Sequence, residues 1–115
     1  MQNFSNATIE GFVTHDPLAK TTKTGKSVCT FALAINHYSK SDEPPRVSFI
    51  EVETWEKMAD ICSKNITKGK RVLVTGSLRQ DRWEDDKGKM QSRLKIVGNE
   101  VIFLGSGKGA DEAKE

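Results

Sequence analysis

Residues 66–90, Ile-Thr-Lys-Gly-Lys-Arg-Val-Leu-Val-Thr-Gly-Ser-Leu-Arg-Gln-Asp-Arg-Trp-Glu-Asp-Asp-Lys-Gly-Lys-Met, carry more structural information than any other stretch of this chain. A Lys68-Gly69-Lys70 turn leads into Val72 and Val74, which alternate with Leu73 and Thr75. That period of two is the mark of a strand with one buried face. Gly76 interrupts the run, and a glycine inside a strand marks a bend or bulge. The strand then resumes through Arg79, Arg82 and Trp83 and stops at an acidic, glycine-containing turn, Glu84 to Lys89. A large aromatic beside arginines on a strand that reaches solvent has few uses. The leading one is to stack on unpaired bases while the cations hold phosphates.

Working outward, the preceding residues change period. Trp55, Met58, Ala59, Cys62 and Ile66 recur at helical spacing, which predicts an amphipathic helix with Trp55 opening its apolar face, Thr54 as its N-cap and Gly69 just past its end. Before it lie three predicted strands. The first runs from about Asn6 to His15, with Ile9, Gly11 and Val13 on one face, and ends at Asp16-Pro17. The polar segment Lys20 to Lys26 reads as a hairpin tip, and the second strand, Val28 to Asn36, is apolar or small on both faces. A polar loop from His37 to Arg46 precedes the third strand, Val47 to Thr54, with Ile50 and Val52 opposite Phe49, Glu51 and Glu53. After the quoted stretch come a strand from Met90 to Val97 and a short one from Val101 to Leu104. The order predicts an all-β fold: a five-stranded OB-fold barrel with one helix between strands 3 and 4. The expected domain spans residues 1–105. The Gly-rich, charged segment 106–115 is expected to be a disordered tail.

At 115 residues the chain suits one domain. Its last seven residues hold three carboxylates and one lysine, a net of −2, so the total of +2 leaves +4 on the rest. So weak a basic excess does not by itself indicate a nucleic-acid partner. Cys29 and Cys62 form no CxxC pattern and fall on predicted apolar faces, so they read as buried thiols in a reducing compartment. His15 and His37 stand alone. There is no nucleophile–base pair, phosphate loop or paired-carboxylate signature, so neither catalysis, nor a metal, nor a cofactor is expected. The N-terminus lacks the basic and apolar regions of a secretory signal, and no apolar stretch is long enough for a membrane span. The expected location is the cytoplasm, in association with the nucleoid.

Four patches in register resemble the bacterial single-stranded DNA-binding protein family. They are Gly11 to Pro17, Phe31 to Asn36, Phe49 to Ala59, and Lys68-Gly69 through Gly76-Ser77-Leu78-Arg79 to Trp83. The resemblance covers roughly Ile9 to Gly105. It implies an OB-fold that assembles into a homotetramer and binds single-stranded DNA without regard to sequence, in replication, recombination and repair. It also implies base-stacking roles at Phe49, Trp55, Trp83 and Tyr38, and phosphate contacts at Lys57, Lys68, Arg79 and Arg82. The residues themselves leave a packing role open for Trp55.

The chain departs from the family's pattern in three places. Glu51 and Glu53 share the face of Phe49, where carboxylates repel phosphate unless they pair with a neighbouring lysine. The chain ends Gly-Ala-Asp-Glu-Ala-Lys-Glu, acidic in part but with no aromatic of the kind with which the family docks replication and repair proteins, so either the chain is truncated or this protein lacks that docking function. Ile50 stands where some members place a histidine at a subunit contact. Two other readings remain: an OB-fold primosome component or single-stranded RNA binder, and a protein-interaction module whose aromatics meet another protein.

Overall fold

The computed structural model describes residues 3–106. Six strands and one helix follow in the order β1 (Ala7–Val13), β2 (Leu18–Thr21), β3 (Ser27–His37), β4 (Arg46–Trp55), α1 (Glu56–Asn65), β5 (Lys70–Glu84) and β6 (Met90–Ser106). The sheet order is β1-β5-β6-β4-β3-β2, and β1 also pairs with β3. That second pairing closes β1, β5, β6, β4 and β3 into a ring of five, with β2 as an appendage on β3. The expected five-stranded barrel is therefore present, and α1 lies between the third and fourth strands of the ring.

Two narrow seams complete the ring. Between β1 and β3 the matched pairs are Phe12 with Ala34 and Val13 with Leu33. Between β4 and β6 the pairing is parallel and runs from Glu51 with Lys95 to Glu53 with Val97. The other junctions are long antiparallel ladders, above all β5 with β6, which continues from Lys70–Ser106 to Glu84–Met90. The barrel interior holds Val13, Cys29, Phe31, Leu33, Val52, Val72, Val74, Ile96 and Val101. Ala59 and Cys62 of α1, with Ile66 beyond it, join the same cluster, so the helix packs against the barrel by the apolar face that its period announces.

Gly76 sits at a register shift between β5 and β6, where it meets Gly98. A Cβ there would collide with the Val97 carbonyl oxygen. The glycine lets the two backbones approach at the bulge, and the strand bends as the quoted stretch predicts.

Several expectations need correction. β2 was absent from the sequence reading, because Leu18 to Thr21 is exposed throughout and shows no alternation. Only Thr22 to Lys26 forms the hairpin tip, closed by the Thr22 and Lys26 backbones. The two predicted last strands are one: β6 runs through Gly98 and Asn99 because a bulge absorbs the extra residue. Thr54 does not cap α1. It is fully buried and its hydroxyl donates to the Cys29 carbonyl at 2.9 Å. The N-cap is Trp55, in extended geometry and without a side-chain cap. Ile66 caps the other end, and Gly69 instead takes φ 87° in the following turn, its N–H donating to the Val13 carbonyl at 2.7 Å. Ser106 ends β6; the rest of the tail, 107–115, lies outside the described residues.

Candidate nucleic-acid interface

Alternation along three neighbouring strands brings a set of side chains to one outward face of the barrel. From β4 come Phe49, Glu51, Glu53 and Trp55, opposite in pleat to the buried Val52. From β5 come Arg79, Asp81 and Trp83, and the ladder sets these level with Lys95, Arg93 and Gln91 of β6. Lys95 is in turn level with Glu51 across the parallel seam.

Phe49 is 68% exposed and Trp83 is 42% exposed, values that a core aromatic does not have. Trp83 is held near the tip of the β5–β6 hairpin by an ordered turn. There Asp85 Oδ1 accepts the Lys87 and Lys89 N–H groups at 3.0 and 2.9 Å, and Oδ2 accepts the Gln91 amide at 3.0 Å. The Lys89 backbone bond and the Gln91 bond hold the Asp85 carboxyl below the ordinary aspartate range. The Arg93 guanidinium lies 5.8 Å from the centre of the Trp83 ring, within reach of a cation–π attraction. Phe49 and Arg93 line a groove of about 250 Å3 with Ala32, Ile50, Glu51 and Leu94.

Trp55 is half-buried at the corner where β4 turns into α1. The next residue, Glu56, has φ 57°, a left-handed conformation that costs a non-glycine residue about 1–2 kcal/mol. The corner aims the indole back along the face, and its Nε1–H donates to Glu53 Oε1 at 3.0 Å. The same oxygen accepts Arg79 Nη2 at 2.6 Å, while Glu53 Oε2 accepts the Lys95 ammonium at 3.0 Å. Lys95 also meets Asp81 Oδ2 at 2.6 Å, and Arg79 Nε meets Asp81 Oδ1 at 3.3 Å. Beside this network, Arg93 donates to Glu51 at 2.9 Å.

Burial pushes the Glu53 carboxyl up, but the indole N–H and the Lys95 ammonium, with Arg79 beside them, outweigh it and hold the group below the ordinary glutamate range. Burial likewise pulls Lys95 down, yet Asp81 and Glu53 together keep its ammonium above its usual value. The Lys95 hydrogen bond holds the Asp81 carboxyl low. The charges of Glu53, Asp81 and Lys95 are therefore present at neutral pH.

The structure brings together Phe49, Trp55, Arg79 and Trp83 among the residues singled out by sequence. It does not bring the others to this face. Arg82 alternates with Trp83 on a strand with unbroken register, so it points to the other side. Tyr38 lies just past β3 and is 92% exposed. Lys57 is exposed on the first turn of α1. Lys68 is exposed in the loop before β5, where its backbone N–H is tied to Asp16 Oδ1 at 3.0 Å. Sequence reasoning missed Arg93 and Lys95. The signal was the pair Glu51 and Glu53, two carboxylates on a strand face that had to find cations.

A closed five-stranded barrel with a helix between its third and fourth ring strands is an OB-fold, a class that binds oligonucleotides and oligosaccharides across its second and third strands. Here those strands are β3 and β4. The single-strand binding protein family matches residues 4–104, and the chain belongs to that family. It is 39% identical over 113 residues to a single-stranded DNA-binding protein of Caldanaerobacter subterraneus, covering 91% of this chain and 75% of that one. It is 35% identical over 108 residues to one from Treponema pallidum, covering 92% of this chain and 61% of the relative. The fold matches a Plasmodium falciparum single-strand binding protein, solved in complex with single-stranded DNA, with a TM-score of 0.82. That match has 24% identity and covers 90% of this chain and 97% of the other.

Proposed function

We propose that this chain binds single-stranded DNA without regard to sequence, in replication, recombination and repair. Phe49, Trp55 and Trp83 stack on bases, and Arg79 meets phosphate from the same face. The observation that carries the reading is the exposure of Phe49 and Trp83 on one face among arginines. Stacking contributes about 1–3 kcal/mol per base and tolerates any sequence, since every base has a π-face. Lys57, Lys68 and Arg82, exposed outside that face, and Tyr38, beyond β3, extend the contact along the strand's path. Binding and release involve no catalytic step.

A homotetramer is the assembly that family membership supports. Leu78 and Ile102 agree with it: they are exposed apolar side chains outside the aromatic face. A DNA partner makes the cytoplasmic nucleoid the place of action.

The test is a titration of intrinsic tryptophan fluorescence with oligo-dT at two salt concentrations, on a sample whose mass is known from sedimentation. Quenching that weakens with salt, on a tetramer, is the expected result. Absence of quenching would mean that the aromatics meet a protein. Competition with oligo-U of equal length separates a DNA binder from an RNA binder, and preference for RNA would overturn the proposal.

A further inference from the structure

The aromatic face carries three cations and three carboxylates, and every one is engaged with an opposite charge. Arg93 holds Glu51, Arg79 holds Glu53 and Asp81, and Lys95 holds Glu53 and Asp81. The net charge of the cluster is zero. We propose that Glu51, Glu53 and Asp81 are intramolecular competitors for the strand's phosphates, so that this face holds phosphate weakly and leaves retention of the strand to stacking. The inference rests on the single-stranded DNA reading above.

The argument follows from what an incoming phosphate would replace. The Arg79 and Arg93 side chains are 44% and 60% exposed, so their guanidinium groups can turn outward. Lys95 is buried between Glu53 and Asp81 and cannot. When Arg93 turns to a phosphate it gives up Glu51, trading one charge-assisted hydrogen bond for another of the same kind. The freed carboxylate then faces the DNA backbone and repels it. An arginine without such a partner would gain the whole contact. Stacking on Phe49 has no such charged competitor, and Arg93, which lies over the Trp83 ring, uncovers that ring when it turns to a phosphate. The balance of charge on this face therefore favours unpaired bases over phosphate charge.

Glu53 has a second task. One of its oxygens takes both the Trp55 indole N–H and Arg79, so the carboxylate also fixes the ring that a base would stack on. Glutamine at this position keeps an oxygen acceptor for the indole while removing the charge.

The experiment compares the full-length wild type with Glu51→Gln, Glu53→Gln and Glu10→Gln, measuring affinity for labelled oligo-dT across a tenfold range of salt. Glu10 pairs with Arg71 at 3.0 Å on β1 and the first part of β5, so its variant makes the same change in net charge away from the aromatic face. Glu51 lies outside the buried network, so the Glu51→Gln protein keeps its fold, which a thermal melt verifies.

The expected result is tighter binding by Glu51→Gln and a steeper salt dependence. The slope of log affinity against log salt grows by roughly 0.7 for one further phosphate, about fivefold in affinity for a tenfold fall in salt. Glu53→Gln moves in the same direction, and Glu10→Gln stays with the wild type. Glu51→Gln with wild-type affinity and slope would overturn the inference while leaving single-stranded DNA binding intact. Glu10→Gln matching Glu51→Gln would also overturn it, since only total charge would then matter. A wild type that does not bind oligo-dT would overturn the functional reading and this inference with it.

Discussion

Truncating Phe49 and Trp83 together separates the packing of this barrel from its use. Both rings lie largely outside the core, so their loss removes few buried contacts. The double variant Phe49→Ala, Trp83→Ala should fold and melt close to the wild type. Its affinity should not survive. Each ring stacked on a base contributes about 1–3 kcal/mol, so two rings contribute about 2–6 kcal/mol if the sites act independently. At about 1.4 kcal/mol per factor of ten, the loss in affinity for oligo-dT is roughly 30-fold at the low end and 10^4-fold at the high end. The rings sit on different strands, Phe49 on β4 and Trp83 on β5, with β6 between them, which favours independence. Anisotropy of a dye-labelled oligo-dT is the suitable assay, because intrinsic fluorescence changes when Trp83 is removed. Equal affinity of variant and wild type would refute the stacking assignment. A large fall in melting temperature would show instead that the rings belong to the fold.

Three further outcomes follow from the packing and the charge network. Glu53, Asp81 and Asp85 have lowered folded-state values, so their contribution to stability is complete above the unfolded carboxylate range and is lost as pH falls through the lowered values, below about pH 4. Lys95 is raised, so its contribution is complete below the unfolded lysine value and is lost as pH rises beyond about 10.4. Denaturant midpoints measured from pH 3 to 11 should fall at both ends, and a flat profile would contradict the network. Gly76→Ala should destabilise by about 1–3 kcal/mol or more, because the new methyl meets the Val97 carbonyl oxygen; a melting temperature equal to the wild type would show that the bulge can shift. Cys29 and Cys62 are buried, and burial pushes the Cys62 thiol up to about 11, so alkylation at pH 8 should be slow in the native protein and fast in denaturant.

The parts of this fold that sequence made legible are those where burial is periodic. The Val72–Val74 alternation, the helical recurrence from Met58 to Ile66 and the bend at Gly76 all match what the barrel requires. β2 left no such trace, because all four of its side chains are exposed and only backbone pairing with β3 defines it. The last two predicted strands are one because β6 continues through Gly98, which lies where it must pass close to Gly76. Thr54 fits a cap by residue type, but its hydroxyl is taken by the Cys29 carbonyl inside the barrel. Lys95 stands between the apolar Leu94 and Ile96, and nothing in its neighbours singles it out. Its burial depends on two carboxylates from other strands, and no local pattern encodes that. Arg82 illustrates the opposite limit: proximity to Trp83 in sequence places it on the other side of the strand.

The ring has a temporal consequence for the chain as it is made. β3 finds β2 and β4 among its immediate neighbours, so a three-stranded meander can form early. β1 has only a two-pair seam with β3 to hold it until β5 arrives, and its main ladder runs from Ala7 with Gly76 to Phe12 with Arg71. At about 5–20 residues per second, the ribosome needs roughly 3–14 seconds to synthesise the segment that separates those partners. Over that interval β1 carries a largely unpaired edge, and the barrel closes only when the second half of the chain has emerged.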